Sequence, residues 1–121
     1  MTKATREFGR AAEELAVAYL RRQAYRVLAV NQRVGRGELD VIARRDGVLV
    51  FVEVKARRSV SCGAPEDAVT QRKRHQIARL AELWLAAHPR ALAGVHDVRF
   101  DVIAVDAQRL PPQIRHLEAA F

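Results

Sequence analysis

The chain is poor in the features that mark secreted, zinc-binding and membrane proteins. Its 121 residues include one cysteine, Cys62. A single cysteine closes no internal disulfide and builds no cysteine zinc site. No neighbouring histidine or other base marks Cys62 as a nucleophile, so it reads as structurally neutral. The first residues, Met1-Thr2-Lys3-Ala4-Thr5, are polar and hold no apolar signal core. No apolar run approaches the roughly 20 residues of a membrane-spanning helix. These absences predict a cytoplasmic protein. Aromatic residues make up only 6% of the chain, which argues against a surface built to stack single-stranded bases. There is no internal repeat, low-complexity segment or linker, so residues 1–121 are predicted to form a single domain. A chain of this length can bury a core without disulfides or metals. It leaves little room for a separate recognition domain.

Positive charge is plentiful. Lys and Arg number 21 against 14 Asp and Glu, a formal charge of +7. An excess of this size favours anionic polymers, with nucleic acid the default partner. The alternative is a soluble surface that happens to be rich in arginine.

Apolar spacing predicts the elements. Phe8, Ala12, Leu15, Ala16 and Tyr19 recur at helical intervals from Arg6 to about Gln23, with Gly9, Val17 and Leu20 widening the face. Glu13 falls on or beside that stripe, and Glu14 on the polar side. Arg26–Asn31 is a short strand candidate. A loop with Gly35 and Gly37 follows, then two strongly β-patterned runs, Glu38–Arg44 and Val48–Ala56. Asp46-Gly47 between them is a hairpin signal. After a loop of small residues (Ser59, Ser61, Gly63), Pro65 opens a helical region that runs to about Ala87. Its face carries Val69, Lys73, Ile77, Leu80, Ala81, Trp84 and Leu85, and Pro89 stops it. Val98–Val105 is a last strand, and the tail beyond Pro111-Pro112 holds one more short helix candidate. The order predicts an α/β fold in which helices flank a mixed twisted sheet.

The hairpin carries the chemistry. A two-residue turn at Asp46-Gly47 pairs Arg45 with Val48. Asp40 then falls opposite Glu53, and Glu38 opposite Lys55. Alternation puts Glu38, Asp40, Glu53 and Lys55 on one face, continued by Ile42 and Phe51. The other face reads Leu39, Val41 and Ala43 against Val50, Val52 and Val54 and must be buried. Facing carboxylates on a partly covered sheet repel, so a cation or basic group has to offset them. Mg²⁺ is typically held by one or two carboxylates with waters and phosphate, and Mn²⁺ suits the same oxygen site. Lys55 beside the pair can orient or deprotonate an attacking water, or steady charge on a phosphate. Together these are the parts of a phosphodiester hydrolase. Glu13 would add a third carboxylate. The plainer alternatives are a solvated strand face with a Glu38–Lys55 ion pair, and a boundary Glu13 paired with arginine.

Basic residues cluster near this hairpin in sequence: Arg33 and Arg36 before it, Arg57 and Arg58 after it, and Arg72, Lys73 and Arg74 near the start of the long helix. That is the layout of a phosphate-backbone track. Asp101 reads as a structural partner of an arginine. His75, His88, His96 and His116 show no metal-ligand spacing and are assigned no role.

Several short motifs together carry a resemblance. They are Gly9-x-x-Ala12-Glu13-x-x-Ala16, Asn31-x-Arg33, Gly37-Glu38-Leu39-Asp40 and Phe51-Val52-Glu53-Val54-Lys55-x-Arg57, with Arg99-Phe100-Asp101 and the terminal Ala120-Phe121. Over nearly its whole length the chain resembles the YraN-type family of small uncharacterised bacterial proteins. That family is similar to the restriction-endonuclease-like superfamily, which includes Holliday-junction resolvases. The resemblance implies a restriction-endonuclease-like αβββαβ core, metal binding by Asp40 and Glu53, a catalytic Lys55, and a helix glutamate at Glu13. It implies a metal-dependent DNA endonuclease acting on branched, flapped or single-stranded DNA in repair or recombination. Resolvase-like proteins commonly act as two-fold dimers, so a homodimeric scaffold with the tail as its interface is a further reading. The alternative function is a non-catalytic nucleic-acid-binding or assembly module on the same fold.

Overall fold

The computed structural model describes residues 3–56, 69–107 and 109–121, with side chains from residue 9 onward. Helix α1 (Lys3–Arg22) is followed by strands β1 (Arg26–Val34), β2 (Gly37–Arg45) and β3 (Val48–Ala56). Helix α2 (Gln71–Ala87), a 3₁₀ turn (Pro89–Leu92) and strands β4 (Asp97–Asp106) and β5 (Gln113–Leu117) complete the chain. The strands form one sheet in the order β1-β2-β3-β4-β5. Only the β3–β4 pair is parallel, and α2 lies in the crossover between them. The element order contains the predicted αβββαβ core, with β5 added.

The sheet separates two apolar layers, each set by helical and strand periodicity. On one side Ala12, Ala16, Val17 and Leu20 of α1 pack on Val41, Ala43, Val50, Val52, Ile103 and Val105. On the other, Ile77, Leu80, Ala81 and Trp84 of α2 pack on Ile42, Leu49, Phe51 and Val102. Burial of the Val, Leu, Ile and Phe side chains among them contributes about 1.5–3 kcal/mol apiece before conformational entropy is counted.

Three expectations need correcting. The tail forms a strand, not a short helix, so β4 is not the last strand. Gln113 and Arg115 are exposed while Ile114, His116 and Leu117 are half-buried, which is largely a period of two. Leu39 does not share a face with Val41 and Ala43, because it packs in the α2 layer. The strand alternation therefore breaks between Leu39 and Val41. Third, α2 starts at Gln71, where the Thr70 hydroxyl accepts the Lys73 N–H. The region proposed to open at Pro65 lies outside the described residues, as do Cys62, Arg57, Arg58 and the small-residue loop.

The predicted turn is present. Asp46 and Gly47 both have positive φ, 51° and 81°, as a tight hairpin with this twist requires. At the other end of β2 a glycine is needed for space. A Cβ on Gly37 would come 2.6 Å from Leu80 Cδ1, so β2 begins directly beneath α2.

Candidate functional site

The β2–β3 ladder follows the predicted register from Arg45↔Val48 to Val41↔Val52 and stops there. Asp40 and Glu53, and Glu38 and Lys55, are therefore not ladder pairs. Beyond this point β2 continues with β1 (Gln32↔Leu39, Arg33↔Glu38), while β3 continues with β4 through Ala56↔Val105. The sheet forks. At the crotch, the Val54 N–H donates to Asp40 Oδ2 at 2.9 Å. This satisfies a backbone donor that the opened ladder would leave unpaired. It also holds the Asp40 carboxylate close beside Glu53.

Glu53 is buried, with 7% of its surface exposed. Lys55 Nζ lies 3.7 Å from its Oε1, and Lys73 Nζ from α2 lies 3.8 Å from the same oxygen. Burial, then the charge of Asp40, pushes the Glu53 carboxyl up to about 7, against the pull of Lys73 and Lys55. Two facing acids with two ammonium groups thus form one charge-balanced cluster. The helical spacing that put Lys73 on the apolar face of α2 is what aims it at Glu53 (it falls four residues before Ile77).

Glu13 reaches the same region from α1. Burial raises its carboxyl above the usual range; a hydrogen bond from the Asn31 side chain opposes this, and Asp40 and Glu38 add to it. Its Oε2 is buried without a hydrogen-bond partner. Asn31, at φ 51°, occupies the left-handed region that asparagine tolerates, where β1 passes Asp40. Sequence reasoning gave Asn31 no role.

Among the described residues, no three His, Cys, Asp or Glu side chains are gathered at metal-ligating spacing. Asp40 and Glu53 come together, and Glu13 stands back from them. A pair of hard oxygen donors still fits Mg²⁺ or Mn²⁺, which take water and phosphate for their remaining positions. The unpartnered Glu13 Oε2 is the kind of atom that a cation's bound water would satisfy.

Of the proposed phosphate contacts, Arg33 at the end of β1, Arg36 in the turn and Arg72 at the start of α2 are exposed. Lys73 is half-buried on Glu53. Arg74 is turned away, donating to the Val69 carbonyl and lying over the Phe121 ring. Arg10 was not foreseen. With Glu13, Asn31 and Arg21 it lines a cleft of about 440 Å³ along α1.

Asp101 is the arginine partner expected. It is fully buried and held by two hydrogen bonds from Arg99 at 2.9 Å and one from the Ala119 N–H. His116 was unforeseen. Its Nε2 lies 2.7 Å from Asp101 Oδ2, and its Nδ1 lies 3.0 Å from the Tyr19 hydroxyl. Burial would raise the Asp101 carboxyl, but these partners hold it below its ordinary value. The network ties β4, β5 and α1 together. In the described residues, no helix is long and apolar enough to cross a membrane.

Comparison with known proteins adds three findings. The model of a family described as Uncharacterised protein family UPF0102 matches residues 12–105. A UPF0102 protein of Syntrophotalea carbinolica is 43% identical over 121 residues, covering 100% of this chain and 96% of that one. Another, from Syntrophomonas wolfei, is 40% identical over 96% of this chain and 98% of its own. Among solved structures, Pyrococcus furiosus SfsA in complex with Ca²⁺ matches at 17% identity and a TM-score of 0.28. That match covers 94% of this chain and 63% of that one, and is too distant to carry an argument.

Proposed function

We propose that the chain, which belongs to the uncharacterised protein family UPF0102, is a metal-dependent DNA endonuclease that reads DNA structure and backbone rather than base sequence. The observation that carries this reading is the juxtaposition of Asp40 and Glu53 at the fork, with Lys55 and Lys73 on the same carboxylate.

Asp40 and Glu53 would hold Mg²⁺ or Mn²⁺. Such an ion supplies positive charge against a phosphate and makes water more acidic. The chain's own groups do the rest. Lys55 steadies charge that develops on the phosphate, or orients the water that attacks it. The first turn of α2 carries Arg72, Lys73 and Arg74 and no acidic residue, the reverse of what a helix dipole favours. An approaching phosphate compensates that arrangement, because it meets the N–H groups at the helix start together with Arg72 and Lys73, while Arg74 stays turned toward Val69 and Phe121. Arg33 and Arg36 extend the same positive border along the β1–β2 end. Among the described residues no element stands free to enter a groove and read bases, which suits a flapped, branched or nicked substrate in cytoplasmic repair or recombination.

The test is cleavage of flapped, branched, nicked and single-stranded DNA in Mg²⁺ and in Mn²⁺. Wild type is expected to cut at least one of these, and Asp40→Asn and Lys55→Met to lose at least a hundredfold in rate. No cutting of any substrate with either metal would end this reading.

One observation favours a second reading. Lys55 and Lys73 already offset Glu53 without a metal ion. A non-catalytic nucleic-acid-binding module needs no more. DNA binding that is indifferent both to chelator and to Asp40→Asn would support it.

A further inference from the structure

At the hairpin-turn end of the sheet, on the α2 side, lies a cavity of about 550 Å³. Its floor is apolar, formed by Leu28 and Trp84, and three arginines, Arg26, Arg44 and Arg90, stand around it. No carboxylate lines it among the described residues. Three cations brought together without an anion repel one another unless a ligand compensates them. The volume falls within the roughly 300–1,000 Å³ usual for small-molecule sites.

Two further features narrow the ligand. The ring of His88 stacks on Trp84 at 4.5 Å between centroids and 19° between planes. Its Nδ1–H donates to the Trp84 carbonyl at 2.9 Å, which fixes the ring and leaves Nε2 available. His88 is exposed, so the stack presents a flat outer face. Trp84 itself is only 6% exposed, yet its indole N–H is buried and has no acceptor. A bare phosphate would use the arginines and leave the apolar floor and the stack unused. A neutral aromatic would use the floor and leave the arginines unused. A flat ring with one attached phosphate uses the floor, the stack and the arginines together.

We propose that this cavity binds a nucleoside monophosphate unit, with its phosphate on Arg26, Arg44 and Arg90 and its base on the His88–Trp84 stack. The unit is either a free nucleotide or the 5′-terminal nucleotide of a DNA strand. The inference rests on the nucleic-acid part of the function proposed above, but not on cleavage. Trp84 lies about 16 Å along α2 from Lys73. A strand end anchored in the cavity would therefore set a fixed distance from end to fork, and the protein would measure DNA from its end.

Trp84 is the sole tryptophan, so its fluorescence reports on this cavity alone. The full chain is titrated in chelator with AMP, adenosine, inorganic phosphate, and a short oligodeoxynucleotide with either a 5′-phosphate or a 5′-hydroxyl. Saturable quenching is expected with AMP or the phosphorylated oligonucleotide, at least tenfold tighter than with adenosine, phosphate or the 5′-hydroxyl strand. Tighter binding of the phosphorylated strand than of AMP assigns the cavity to DNA ends, and the reverse assigns it to free nucleotide. Arg90→Ala, on the exposed 3₁₀ turn, should weaken binding at least fivefold without altering the emission of the unliganded protein, and Arg26→Ala serves as its duplicate. Asp40→Asn should leave quenching intact. Loss of cleavage with retained quenching therefore separates this site from the fork. Absence of saturable quenching by both phosphorylated ligands, or equal binding of phosphate and AMP, overturns the proposal.

Discussion

Replacing Glu53 by glutamine should make the protein more stable at pH 8 while leaving its stability at pH 5 nearly unchanged. The folded carboxyl is pushed up to about 7 from an ordinary 4.5, first by burial and then by Asp40. In the unfolded chain it ionises near 4.5. Between those two values the folded state binds the extra proton, so stability falls as pH rises through the window. The stabilising contribution is complete below pH 4.5 and is gone above pH 7. A gap of this size corresponds to about 3 kcal/mol of strain carried by the ionised form at pH 8. Glutamine is close in shape to the protonated acid and never ionises. The variant should therefore gain up to about 3 kcal/mol at pH 8, roughly 10 °C in melting temperature for a domain of this size. Thermal melts of both proteins at pH 5, 6, 7 and 8, in chelator, give the difference directly. A bound divalent cation should recover most of the same energy in wild type, because it replaces the proton, and none of it in the variant. A wild-type-minus-variant difference that stays flat from pH 5 to pH 8 would refute the account of Glu53.

Two other substitutions probe the frame around the site. Gly37→Ala should cost about 1–3 kcal/mol in urea unfolding, because the buried Leu80 side chain has to move from a 2.6 Å approach. Asp101→Asn should cost up to about 3–5 kcal/mol by the same measurement, since it leaves the Arg99 guanidinium only the more exposed Glu118 carboxylate at 3.6 Å.

The hairpin was legible in sequence because local rules determine it. Asp46-Gly47 demands a tight turn with positive φ, and the turn then sets every later pair down to Val41↔Val52. The faces of both helices followed from spacing in the same way, which put Lys73 on the covered side of α2, although its pairing with Glu53 was not read from the sequence. The fork was not legible. It depends on which neighbour each strand prefers beyond Asp40, and on a left-handed Asn31 that no local pattern announces. His116 escaped notice for a different reason. Its partners Asp101 and Tyr19 are 15 and 97 residues away, and β5 resembled the start of a helix. Arg74 sat in a basic run and looked like its neighbours, but a contact with the terminal Phe121 withdraws it from them.

The fork also has a mechanical meaning. Asp40 belongs to a ribbon made of β1 and β2, and Glu53 to a ribbon made of β3 and β4. The two ribbons are joined below Asp40 by five rungs, and above it the Val54 N–H donates to the Asp40 side chain. Any splaying of the ribbons changes the gap between the two carboxylates before it strains anything else. A ligand that bridges those carboxylates therefore acts as a rivet across the seam, stiffening the open half of the sheet, and amide exchange at Val54 would slow when it is in place.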